Sequence, residues 1–342
     1  MKVVCDDAIP FLKGVFEPYA EVVYAEGSAI CRETISGADA LLVRTRTRCN
    51  AALLEGTSVR AVATATIGTD HIDVPWCLSR GITVDSAPGC NALGVMDYVM
   101  TAIFAVADRK GLDVSGKTLG IIGSGHVGSL VADAGRKLGF RVLECDPPRA
   151  RREGPEGFVT QEELLSESDI VTLHIPLDAT TRDLAGKDFF RRMKEGALFI
   201  NTSRGETVDE DALIQAVPRL GAVITDTWRG EPGINPRLVA VSDIATPHIA
   251  GYTLQGKAEG TRMAVRALAR RLGIVPLMDF SPVDAAPPRP VLRLSGESPE
   301  RINEVLQYNY PIFTDDYALR AGITGFEKLR TGYSYRNEFL ID

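Results

Sequence analysis

The stretch TLGIIGSGHVGSLVADAGRKLGFRVLECDPPRA, residues 118 to 150, decides the fold. It opens on a short apolar run, 118–122, of strand length, and passes directly into three glycines, Gly123, Gly125 and Gly128. Residues 126–138 then read as a helix, and 141–145 as a second strand that ends on Asp146. That order has a physical meaning. The first glycine permits a tight turn, the second lets main chain approach a pyrophosphate, and the third lets the helix pack on the strand. The helix amino terminus adds N–H groups and a positive end for phosphates. Asp146 lies 18 residues beyond Gly128, where a carboxylate would hold the adenosine ribose. A dinucleotide-binding unit follows, with NAD favoured over NADP because Asp146 would repel a 2′-phosphate; Arg149 is the nearby guanidinium able to accept one.

Working outward, the first 90 residues predict strands at 2–6, 20–25, 39–44, 58–64 and 81–85 with helical segments between them, hence a mostly parallel sheet. A long helix begins near Asn91, apolar on more than one face as expected of a helix joining two domains. Beyond the glycine stretch come helix 160–166, strand 169–173, helix 187–192, strand 197–201, helix 208–217, and strands 221–225 and 242–245. This is the rhythm of a doubly wound domain, whose ligand crevice lies at the carboxyl ends of the strands. A helix over 254–273 precedes the proline-rich DFSPVDAAPPRPV. The expected organisation is an α/β protein of two Rossmann-like domains with parallel sheets and a small C-terminal appendage. Residues 1–90 with 251–280 form one domain, 91–250 the dinucleotide domain, 281–290 a linker, and 291–342 the appendage. The appendage holds eight of the 23 aromatic residues yet is too short for a core of its own, so it must pack on a partner subunit or on its own chain.

Composition narrows the function. Lys and Arg number 38 against 45 Asp and Glu, so the net charge of −7 repels nucleic acid and any bound anion must be gathered by a local cluster. The six cysteines show no paired spacing, which suits reduced thiols and a cytoplasmic location. The start does not resemble a signal peptide, and the most apolar run, YVMTAIFAVA at 98–107, is too short to span a bilayer. Neither a zinc nor a calcium pattern is present, so no metal is expected.

The stretch LLVRTRTRCN, 41–50, places Arg44, Arg46 and Arg48 two apart; if extended, all three would share one side and suit either an anion or solvent. Only four histidines exist. His71 sits in a turn-rich segment with a structural reading, and His126 lies within the glycine loop beside cofactor or solvent. His174 ends a strand and borders the cofactor without an evident acidic partner. His248, in TPHIAG, follows the last strand of the dinucleotide domain. Arg204, after the strand ALFINTS, and Asp226 and Glu231, after AVIT, come from neighbouring strand ends. With His248, they show how an α/β domain gathers one site from distant sequence.

NTSRGETVDEDAL, DTWRGEP and TPHIAG, with GTDHID and PGCNALGV upstream, resemble the D-isomer-specific 2-hydroxyacid dehydrogenases over roughly residues 40 to 275. APGCNA, CDPPRA and the tail FEKLRTGYSYRNEF resemble the branch acting on a small phosphorylated 2-hydroxy acid in vitamin B6 synthesis. The resemblance implies an NAD-dependent enzyme with Arg204 on the substrate carboxylate, His248 as acid/base and Glu231 holding its ring. It implies cofactor contacts from Gly123, Gly125, His126, Val127, Gly128, Asp146, His174, Thr202, Ser203, Asp226 and Gly251, with Asp226 near the nicotinamide. Substrate contacts would come from Arg44, Thr45, Thr66, Gly68 and Tyr252; Arg46 matches no arginine the family requires, and its charge suits either the phosphate or solvent. A homodimer formed through the appendage, and no nucleic-acid or membrane partner, complete what it implies. A sister dehydrogenase for phosphoglycerate or glyoxylate, and an NAD-sensing corepressor-like protein, are the competing readings.

Overall fold

The computed structural model describes residues 1–282 and 286–342 and divides into two compact units, Met1–Asn91 with Thr253–Pro288 and Ala92–Tyr252 with Arg289–Asp342. Residues 283–285 of the expected linker lie outside the described residues.

The first unit is built on five parallel strands: β1 (Lys2–Asp6), β2 (Glu21–Ala25), β3 (Ala40–Val43), β4 (Ala61–Thr64) and β5 (Thr83–Asp85), in spatial order β2-β1-β3-β4-β5. Side chains along a strand point alternately to the two faces, so a sheet covered on both sides needs unbroken apolar runs. The residues obey this. Val3, Cys5, Ala40, Leu42, Ala61 and Ala63 pack under the helix Leu254–Leu272, while Val4, Leu41, Val43 and Val62 pack on the opposite face with Leu53, Leu54 and Cys77.

The second unit carries six parallel strands, β6 (Thr118–Ile122), β7 (Arg141–Cys145), β8 (Ile170–Leu173), β9 (Leu198–Asn201), β10 (Ala222–Thr225) and β11 (Ile244–Ala245), ordered β11-β10-β9-β8-β6-β7. The order reverses between β6 and β8, and the crevice of such a sheet forms at the carboxyl ends there. One face, with Leu119, Ile121, Ile200 and Ile224, packs on the helices Ala92–Lys110 and His126–Lys137. The other, with Val171, Leu173, Phe199 and Val223, meets Phe189, Phe190 and Leu213 from the helices Lys187–Arg192 and Glu210–Ala216. The strands agree with the sequence expectation to within three residues at either end. Helices Pro147–Glu153 and Pro236–Val241 were not anticipated. Each starts at a side-chain cap, Asp146 or Asn235, followed by proline, but proline reads as a breaker when its neighbours are polar.

Two expectations change. Residues 44–48 are not extended: β3 stops at Val43, and a turn closed by the Thr47 amide donating to the Arg44 carbonyl at 3.2 Å removes the shared side of the three arginines. Helix Ala92–Lys110 is apolar all round because it is covered all round. The sheet lies on one side of it and the C-terminal helix Pro299–Asn309 on another, so its apolarity does not mark a domain join. The tail packs on its own chain. Leu294, Ile302, Leu306, Tyr310, Ile312 and Phe339 join the core around that helix, and Leu319 and Phe326 enter the core on the far face of the sheet. Each such side chain stabilises the attachment by about 1.5–3 kcal/mol.

Candidate active site

The glycine loop leaves β6 at Gly123, whose φ of +91° lies where a side chain is strained. A side-chain carbon there would also stand 2.5 Å from the His174 carbonyl oxygen, and one on Gly128 would stand 2.0 Å from the Gly123 oxygen. These two glycines close the loop against the end of β8 and against its own helix. Gly125 differs: a carbon on it meets nothing within 4 Å, and it starts the helix His126–Lys137 without a side-chain cap. Open space beside uncapped N–H groups fits a pyrophosphate. Asp146 lies beside the same loop. One carboxylate oxygen accepts the Ser124 amide at 2.9 Å and the other the Arg149 amide at 2.8 Å, while Arg149 Nη1 donates to the Ser124 carbonyl at 2.8 Å. His126 is exposed and Val127 half-buried at the helix start. His174 is half-buried, bonded at 3.0 Å to Thr172 and at 3.4 Å to Thr202, and burial pushes its pKa down to about 3. It is therefore neutral at physiological pH.

Arg204 stands in a turn after β9 that Asn201 braces. The Asn201 Oδ1 accepts from the Ser203 amide and hydroxyl at 3.0 and 2.8 Å, and its Nδ2 donates to the Arg204 carbonyl at 3.0 Å. The Arg204 guanidinium donates to the Ser203 carbonyl at 2.8 Å. Gly205 follows, and a carbon on it would stand 1.9 Å from the Trp228 carbonyl carbon. The two main chains touch there, so the Arg204 turn is fastened to the segment that leads to Glu231.

Glu231 and His248 form a close pair, with His248 Nδ1 at 2.9 and 2.8 Å from the two carboxylate oxygens. Glu231 also accepts the Trp228 amide at 3.0 Å and Arg330 Nη1 at 3.3 Å. Burial pushes this carboxyl up, but His248, Arg330 and the Trp228 amide outweigh it and hold it below the usual range. With Nδ1 engaged by Glu231, Nε2 is left for a reacting proton. His248 has a φ of +57°, which costs on the order of 1–3 kcal/mol in a non-glycine residue. Asp226 offsets that cost. Although 1% exposed, it accepts the Ile249 amide at 2.8 Å, the Ala250 amide at 2.9 Å and the Thr246 hydroxyl at 2.7 Å, gripping the turn on both sides of His248. Tyr98 bonds the same threonine hydroxyl at 2.7 Å and Trp228 Nε1 donates to its carbonyl at 2.8 Å. All three of these Asp226 hydrogen bonds are internal, so the structure places Asp226 as the anchor of the histidine turn. Gly251 is buried next to that turn.

In the first unit, Arg44 Nε and Nη2 each lie 3.2 Å from the buried Asp6 carboxylate. Thr45, Arg46 and Arg48 lie in the turn that follows, all three exposed. Gly27 makes room for this arrangement, since a carbon on it would stand 2.5 Å from Asp6 Oδ2 and 3.1 Å from Arg46 Cβ. Thr66 Oγ1 is bonded to Thr64 at 2.7 Å and to the Gly68 carbonyl at 3.2 Å.

Within the second unit the structure brings Glu231 and His248 together and locks the Arg204 turn to the same segment. The sequence reading missed Asp6, Asn201, Gly205, Trp228, Thr246 and Arg330. Asn201 and Gly205 flank a residue singled out in advance, whereas Arg330 is 99 residues from its partner and had no local signal.

Residues 96–250 match the family model described as D-isomer specific 2-hydroxyacid dehydrogenase, NAD binding domain. Over 99% of its length and 93% of the relative's, the chain is 40% identical to the erythronate-4-phosphate dehydrogenase of Yersinia pestis (strain Pestoides F). The chain belongs to the D-isomer-specific 2-hydroxyacid dehydrogenase family. Solved structures agree with the fold. The TT0316 protein of Thermus thermophilus superposes with a TM-score of 0.71 at 28% identity, covering 80% of this chain and 97% of that one. NAD-bound 3-phosphoglycerate dehydrogenase of Entamoeba histolytica gives a TM-score of 0.68 at 27% identity, covering 80% and 95%. The matched family model is an NAD-binding domain, and the open space at Gly125 fits that cofactor.

Proposed function

We propose that this dehydrogenase oxidises 4-phospho-D-erythronate to (R)-3-hydroxy-2-oxo-4-phosphooxybutanoate with NAD, a step in pyridoxal 5′-phosphate synthesis. The observation that carries the reading is the Glu231–His248 pair, in a chain 40% identical over nearly its full length to an erythronate-4-phosphate dehydrogenase. The cofactor NAD would supply the acceptor for the hydride that leaves C2. Arg204 binds the substrate carboxylate with its planar fork. Neutral His248 takes the 2-hydroxyl proton on Nε2 as the carbon–oxygen double bond forms, and ionised Glu231 stabilises the resulting imidazolium. The glycine loop, Asp146, His174, Thr202, Ser203 and Gly251 line the cofactor. Arg44, Thr45, Thr66, Gly68 and Tyr252 contact the substrate, and Arg46 meets its phosphate. The enzyme is a cytoplasmic homodimer. Support for pairing is the tail's exposed Tyr308 and Tyr317, at 90% and 58% exposure, and among the described residues no helix is long and apolar enough to cross a membrane.

The test is an NAD reduction assay of the purified chain with 4-phosphoerythronate, 3-phosphoglycerate and D-lactate. A clear preference for either of the last two overturns the substrate assignment. Sedimentation of the full chain and of a Tyr308→Asp, Tyr317→Asp double variant tests the dimer, which the two charges are expected to weaken; a monomeric parent refutes it.

A further inference from the structure

We propose that Arg330, from the C-terminal helix Phe326–Thr331, is a positioning residue of the acid–base pair: it shares the Glu231 carboxylate with His248 and thereby sets how strongly His248 holds its proton. The proposal rests on the assignment of His248 as the base.

The geometry makes a line of three titratable groups. Glu231 Oε2 accepts His248 Nδ1 at 2.8 Å and Arg330 Nη1 at 3.3 Å. Side-chain exposure is 18% for Glu231, 15% for Arg330 and 28% for His248, so little water stands by to screen them. A carboxylate alone would favour the imidazolium; a guanidinium on the same oxygen offsets part of that attraction and repels the imidazolium directly. That arrangement suits a base that must be neutral before it accepts the hydroxyl proton.

Arg330 is itself held in place. Its Nη2 lies 3.4 Å from the Tyr252 hydroxyl, and its guanidinium stands 5.9 Å from the Tyr252 ring and 5.8 Å from the Phe326 ring. Tyr252 is wedged edge-on by Tyr333 and Tyr335 at 6.1 and 6.2 Å. A second tail arginine, Arg336, donates to the Ile249 carbonyl at 3.0 Å and to the Ala250 carbonyl, on the main chain just past His248. The tail thus grips the histidine turn by its backbone and the glutamate by its charge. Other charged groups surround the line. Asp226 faces His248, Glu327 and the Tyr252 hydroxyl face Arg330, and Arg336 is surrounded by Asp97, Asp315, Tyr310 and Tyr333. Both Asp226 oxygens are engaged by the turn, and Arg330 is the cation that meets Glu231 on the oxygen it shares with His248.

The experiment is a histidine NMR titration of the full chain, in which four imidazoles report and the His248 signal is assigned by its loss in His248→Asn. Arg330→Met is expected to raise the His248 midpoint by about one pH unit, for an effective dielectric constant near 20. The acid limb of kcat/KM for oxidation should move by the same amount. Arg330→Lys, which keeps the charge, should stay close to the parent in both. An Arg330→Met enzyme that loses turnover with neither midpoint moved has lost only structure, and that result overturns the proposal, as does a lysine variant that behaves like methionine. Should Arg330→Met fail to fold, Glu327→Gln replaces it: with that neighbouring carboxylate gone, the Arg330 charge weighs more heavily and the His248 midpoint should fall, whereas an unmoved or rising midpoint refutes the idea. The titration needs no substrate, so a parent enzyme inactive on 4-phosphoerythronate would remove the substrate assignment and leave the role of Arg330 decided on its own.

Discussion

Replacing Gly205 by alanine probes the contact that fastens the Arg204 turn to the Glu231 segment. The added carbon would stand 1.9 Å from the Trp228 carbonyl carbon and 2.2 Å from the Arg229 nitrogen, where ordinary contact begins at 3.4 Å. Both atoms are main chain, so no side chain can rotate away; the two segments must part by roughly 1.5 Å, or the turn must tip outward. Forced insertion into a packed site costs typically 1–3 kcal/mol, and a clash with backbone belongs at or above the upper end, so a loss of about 3 kcal/mol in urea unfolding is expected. The displacement falls on the proposed carboxylate-binding group and on the chain that holds the proposed base. A misplacement of about 1 Å costs on the order of 100-fold in rate, and kcat/KM should fall by at least that factor. NAD affinity, followed by quenching of protein fluorescence, should fall far less than kcat/KM, because the glycine loop belongs to β6 and only Thr202 and Ser203 of the proposed cofactor lining ride on the displaced turn. A Gly205→Ala enzyme with normal stability and normal kcat/KM would show that the contact does not hold the turn, and the account of how Arg204 is positioned would fail.

Other consequences are as direct. Asp226→Ala strips the Ile249 and Ala250 amides and the Thr246 hydroxyl of their acceptor, at about 1–3 kcal/mol for each group left buried and unpaired; both unfolding free energy and kcat should drop, and an unaltered kcat would dissociate Asp226 from the histidine turn. His248→Asn should abolish turnover while leaving NAD binding nearly intact, and persisting turnover would remove His248 as the base. Arg46→Ala should raise KM for the phosphorylated substrate selectively; an equal effect on the unphosphorylated analogue would place its contact elsewhere. His174 gives a pH signature. Its folded pKa is depressed to about 3 from 6.5, so the unfolded chain takes up a proton that the folded chain refuses, and stability falls as pH drops from 6.5 towards 3. His174→Asn should remove that part of the slope in urea titrations at stepped pH; an identical slope in parent and variant would contradict a buried neutral His174.

The strands were legible because a parallel sheet covered on both faces demands short unbroken apolar runs, and this chain has them at β1, β3, β4, β6, β8, β9 and β10. The glycine loop was legible because each of its glycines answers a local demand. Segments governed by side chains far along the chain were less so. The stretch from Arg44 to Arg48 has the spacing of an extended run, yet it turns because Arg44 is drawn to Asp6, 38 residues earlier, and Thr47 to the Gly27 carbonyl, 20 residues earlier. Helix Ala92–Lys110 looked like a connector because its cover, the helix Pro299–Asn309, comes about 200 residues later.

By itself the sequence determined the alternation of strand and helix and the dinucleotide loop, because these depend on spacing within a few residues, and it singled out Arg204, Glu231 and His248 as candidates at the ends of strands. Only the tertiary structure decided how those groups are held: the Gly205 contact with Trp228, the Asp226 grip on either side of His248, and the arrival of Arg330 at Glu231. The difference is one of range. Backbone conformation answers to neighbours in sequence, whereas the orientation and proton affinity of a buried side chain answer to whatever the folded chain brings within a few ångströms of it.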